Sequence, residues 1–138
     1  MRLPPSSLLL GSVGIWSIVL GIYFALLRPA LLAEDLRYIA ASSALSTSAV
    51  PGLGAWLKLV FIVLGGFAAS FGLAFAYLAI WILPARPRGA GFVVATVTLA
   101  GPVLMSAVNF ALHSDFRWLL LAPAASGIAG ILCYLREH

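Results

Sequence analysis

The chain has 138 residues, of which 63% are hydrophobic and 9% charged, with a net charge of +4 and a mean hydropathy of +1.11. Soluble domains carry about 25% charged and 45–50% apolar residues, so a water-soluble globule is excluded and the solvent for most of the surface is lipid. A nucleic-acid partner is excluded on charge: the basic residues are scattered singly, without a patch or stripe, and suit weak attraction to anionic headgroups instead.

A helix needs about 20 apolar residues to cross a hydrocarbon core, and the chain contains four such runs. The first, residues 7–27, is closed by Arg28-Pro29. Its apolar stretch exceeds the 7–15 residues of a secretory leader and only Arg2 precedes it, so it is expected to be an anchor. The second span covers residues 57–83, and its part from Leu59 to Leu83 holds no charge. Trp56 and Trp81 flank that part at the depth of the interfaces. PARPRG then turns the chain into a third span at residues 90–112, where Gly101-Pro102 predicts a kink. HSDFRW leads into the fourth span, residues 118–135. Together these predict a single all-α domain, an antiparallel four-helix transmembrane bundle.

Four crossings put both termini on one side. Arg2, Arg86, Arg88 and Arg136 lie there, against Arg28, Arg37, Lys58 and Arg117 opposite. That tie leaves the positive-inside rule undecided. The short, acid-free PARPRG turn favours termini in the cytoplasm.

The long loop at residues 28–55 invites structure of its own. Leu32, Leu36, Ile39, Ala40 and Ser43 recur at helical spacing, and Glu34 and Asp35 suit the positive end of a helix. A short amphipathic helix from about Leu32 to Leu45 is expected, lying at the interface or capping the bundle.

The internal acids Glu34, Asp35 and Asp115 share one side of the membrane with Arg28, Arg37, His113 and Arg117. Asn109, His113 and Arg117 recur every fourth residue and would line one face if the helix continued. Asn109 lies a turn inside the apolar region, where a polar side chain should face the bundle or a cavity. This cluster has three readings. Arg37 with Asp115, or Arg117 with Glu34 or Asp35, staples the loop to the helix ends. Alternatively the residues form a polar vestibule that binds a small molecule or handles protons, with His113 as its titratable group. A catalytic or metal site is the third reading. It lacks support, because one histidine with loop carboxylates has no ligand spacing and no catalytic motif is present.

Small residues four apart let helices approach closely. Gly65 with Ala69, Gly66 with Ser70, and Ala68 with Gly72 recur so in the second span; Ser17 with Gly21 does in the first, and Ala122, Ser126 and Gly130 do in the fourth. Cys133 reads as a small membrane-facing or packing residue rather than a nucleophile. No cofactor is expected.

RPALLAEDLRYIA, PGLGAWLKLVFIVLGGF and NFALHSDFRWLLL resemble the loop and helix motifs of uncharacterised small four-helix bacterial inner-membrane proteins, similar in architecture to the DoxX-like group. The resemblance implies a multi-pass protein of the bacterial inner membrane and supplies no catalytic residues. The DoxX-like comparison suggests redox or stress-related membrane complexes, for which a single Cys provides no chemistry. The leading functional expectation is a non-enzymatic accessory or scaffold subunit that packs against a larger membrane partner or a second copy. The alternative is small-molecule or proton-linked binding or transport through the vestibule.

Overall fold

The structure, a computed structural model, describes residues 3–39 and 50–137. Helices α1 (Pro5–Leu27), α3 (Leu53–Ala85), α4 (Ala90–Ala111) and α5 (Arg117–Arg136) are long and apolar enough to cross a membrane. A short α2 (Ala33–Tyr38) lies in the first loop. Residues 40–45 of the helix expected there lie outside the described residues. Large apolar side chains such as Phe67, Phe92 and Trp81 are at least 70% exposed, as lipid-facing helices require.

The helix starts follow local chemistry. Pro4 is extended and Pro5 opens α1, where a missing N–H costs nothing. The next orphan donor, Ser6 N–H, bonds to the Glu137 carboxylate at 2.9 Å, and the Ser6 hydroxyl donates to the same group at 2.6 Å. The last turn of the chain therefore caps the first, with a negative charge at the positive end of α1. Arg86 of the PARPRG turn lies 3.7 Å from Glu137 and 4.8 Å over the Tyr134 ring, which joins three segments at this end.

In a membrane, helices gain little from apolar burial and associate through close packing. Between α1 and α3 that packing reaches the backbone. A Cβ built on Gly72 would lie 2.5 Å from Gly14 O, and one on Gly65 would lie 2.5 Å from Gly21 O. Gly14 thus meets Gly72 while Gly21 meets Gly65, so numbering rises along one helix as it falls along the other. The seven-residue spacing keeps each pair of glycines on one helix face.

Of the small residues expected to pack, Gly65, Ala69 and Gly72 face α1. Ser126 donates to Leu9 O at 3.1 Å and Gly130 abuts Leu10, which joins α5 to the other side of α1. Gly66 and Ser70 correct the expectation. A Cβ on Gly66 would meet nothing within 4 Å, and Ser70 is exposed. The interface follows the seven-residue repeat, which turns that four-residue pair outward.

The core lies at the end of the bundle that carries the termini. Leu10, Val13, Phe75, Ala79, Leu83, Ala90 and Val94 are buried against one another. Around Pro102 the fourth helix adopts one π-helical turn, Leu99–Val103, the local adjustment by which a membrane helix absorbs a proline. Next to it the Phe71 ring reaches Gly101, 3.4 Å from where a Cβ would stand. Beyond this contact, towards the first loop, α3 and α4 face each other across a cavity.

Candidate functional site

The cavity measures about 460 Å³. Val19, Leu20, Phe24, Phe61, Leu64 and Leu119 contribute to apolar walls that draw on α1, α3, α4 and α5. Arg28, Glu34 and Asp35 stand at the loop end. Glu34, Asp35 and Leu112 also line an adjoining space of about 110 Å³ with Tyr38 and Ser114. The polar groups of the first loop therefore form the border between an apolar chamber and a smaller outer one.

Arg28 holds that border from beneath. Its side chain is 8% exposed, and its Nη2 donates to Asp35 Oδ2 at 2.8 Å. Nη1 donates to Pro29 O at 3.0 Å and Ala30 O at 3.4 Å, and the guanidinium lies 3.7 Å over the Phe61 ring. A buried guanidinium persists only with its donors and charge satisfied. Asp35 is doubly used, since Oδ2 also accepts Leu32 N–H at 2.8 Å. That bond is the carboxylate half of a capping box and starts α2.

Glu34 ties α2 to the α4–α5 turn. Its Oε2 accepts the Ser114 hydroxyl at 2.9 Å and Asp115 N–H at 2.8 Å. Ser114 is buried, and its Oγ accepts Phe116 N–H at 3.1 Å, which serves the start of α5. Arg37 donates to Asp115 at 2.6 Å, but both side chains are more than 60% exposed. Such a surface pair contributes about 0–1 kcal/mol.

Deeper in the chamber, Asn109 is half-buried and donates to Met105 O at 2.9 Å, one turn back on its own helix. Trp16, another lining residue, has a buried indole N–H with no hydrogen-bond partner among the described residues. An unpaired buried donor of this kind costs about 1–3 kcal/mol.

The structure does not bring His113 and Arg117 into this group. Helix α4 ends before His113, whose φ is +52°. Its N–H bonds to Phe110 O, and Ser114 N–H bonds to Asn109 O. This pair of bonds is the Schellman ending, in which a left-handed residue closes the helix. The chain reverses there, so the four-residue series from Asn109 is broken and the His113 side chain is exposed. Arg117 instead opens α5 and lines none of the cavities described here. Among the described residues, no three His, Cys, Asp or Glu side chains gather closely enough to hold a metal ion.

Arg28 shares the polar side of the membrane in the sequence, and its burial beside Asp35 is what the structure adds. Ser114 and Trp16 escape sequence reading as site residues: one lies in the HSDFRW turn and the other inside an apolar span.

No family model matches the chain, and no curated protein or solved structure shows significant similarity to it.

Proposed function

We propose that this is a non-enzymatic integral membrane protein that binds a small amphipathic molecule in the chamber beneath its first loop. The observation that carries the reading is the cavity itself. At about 460 Å³ it falls within the roughly 300–1,000 Å³ of small-molecule sites, which combine apolar walls with a few placed polar groups. Asn109 and the Glu34–Asp35 border are those groups. The proton-linked version of this reading is dropped, because it relied on His113.

In this reading the helices form an antiparallel bundle in the bacterial inner membrane. The termini face the cytoplasm and the chamber opens towards the opposite side. The short PARPRG turn between α3 and α4 supports that orientation.

Met105→Trp tests the reading by filling the chamber from one wall. Small molecules extracted from purified wild type should include a reproducible species near one per chain, depleted in the variant. Equal content in two stably helical proteins would contradict it.

An accessory or scaffold subunit is the second reading, supported by the outward-facing Gly66 and Ser70. Purification with a defined partner that crosslinks to Ser70→Cys would favour it. Recovery of the chain alone would count against it.

A further inference from the structure

We infer that the molecule bound in the chamber presents an organic ammonium-like cation on an apolar body, and that this charge pairs with Glu34. The inference rests on the binding reading above and adds the charge of the ligand.

Charged residues in the two adjoining cavities are Arg28, Glu34 and Asp35. Arg28 and Asp35 neutralise each other at 2.8 Å, so one cation against two carboxylates leaves a single negative charge, that of Glu34. Among the described residues Glu34 has no cationic partner, and both of its hydrogen bonds come from neutral donors to one oxygen, Oε2. Oε1 makes none among the described residues. Glu34 is half-buried and borders both cavities. A carboxylate beside low-dielectric walls attracts a cation more strongly than one in water.

The walls add a second attraction. Trp16, Tyr23, Phe24, Phe61 and Phe116 line the chamber, and Tyr38 lines the outer space. Aromatic faces attract cations, and the Arg28 guanidinium already lies 3.7 Å over Phe61. An anion finds little here, because Arg28 points its donors at Asp35 and two carbonyls. The ammonium group could belong to an aminophospholipid of the bilayer or to a free lipophilic amine.

Tetraphenylphosphonium and tetraphenylborate, ions of nearly one shape and opposite charge, separate charge from apolar fit. Binding is measured in nanodiscs of phosphatidylglycerol, referenced to protein-free discs. The phosphonium should bind saturably and the borate should not. Glu34→Gln keeps an acceptor for Ser114 and Asp115 N–H, and should weaken phosphonium binding about tenfold or more, as loss of a half-buried ion pair implies. Competition by added phosphatidylethanolamine would identify a lipid headgroup as the source, and its absence a free amine.

Equal binding of both ions, or no effect of Glu34→Gln, would overturn the cationic assignment and leave the cavity reading in place. Failure of both probes, with nothing extracted from the purified protein, would remove both. The comparison of the two ions on wild type holds even where the variant fails to fold.

Discussion

The two ends of this bundle are held by different physics. At the end carrying the termini, Leu10, Val13, Phe75, Ala79, Leu83, Ala90 and Val94 fill the space between helices. At the loop end the helices border a partly open cavity of about 460 Å³, and polar contacts across α2 hold the rim. The difference teaches where binding can occur. Close packing is what stabilises helices in lipid; the loop end keeps it between α1 and α3 at Gly21 and Gly65 but gives it up around the cavity, which needs other anchors. Arg28–Asp35 and Glu34–Ser114 supply them while leaving the interior open.

The strongest way to break the comparison is to attack the seam common to both ends. Gly72→Leu would drive a side chain into the backbone of α1 at Gly14. It should destabilise by about 3 kcal/mol or more, read as thermal unfolding in a mild detergent. Gly66→Leu, on the open face of the same helix, should be nearly neutral. Similar losses for both would refute the glycine register.

A smaller effect is expected at the rim. Arg28→Met removes the buried guanidinium and leaves Asp35 without its charge partner, and should cost about 2 kcal/mol. That is below the range for fully buried pairs, because Asp35 retains some exposure. Hydrogen exchange should quicken in α2 and leave Val94 and Ala79 protected. Uniform quickening would mean the two ends unfold as one.

The smallest effect belongs to Arg37 and Asp115. Each reversal, Arg37→Glu or Asp115→Arg, should cost less than about 1 kcal/mol, with partial recovery when both are made. A large loss from either single change would show that this exposed pair carries more of the rim than Glu34 does.

Much of the architecture was legible because lipid imposes it. Four apolar runs separated by charged turns leave little choice of helix placement, and chain parity puts LLAEDLRY beside HSDFRW. The seam was harder to read. A helix apolar all round has no polar face to mark its orientation, so the four-residue pair Gly66–Ser70 reads as suitable as Gly65–Ala69, and nothing singles out the seven-residue spacing of Gly65 and Gly72. Only the register of the partner helix decides between them. His113 misled for a related reason. The left-handed residue that closes a helix is usually glycine, and without that marker the helix seemed to run on to Arg117. Trp16 and Ser114 carry no local signal, since their roles arise from what the other helices leave around them.

The most direct test compares reagent access at the two ends. With Cys133 replaced by serine, single cysteines at Asn109 and Val94 are labelled by a small cationic thiosulfonate in nanodiscs. An open chamber predicts rapid labelling of Asn109→Cys, slowed by tetraphenylphosphonium, and negligible labelling of Val94→Cys. Equal rates at the two positions would contradict the division of the bundle into a closed end and a binding end.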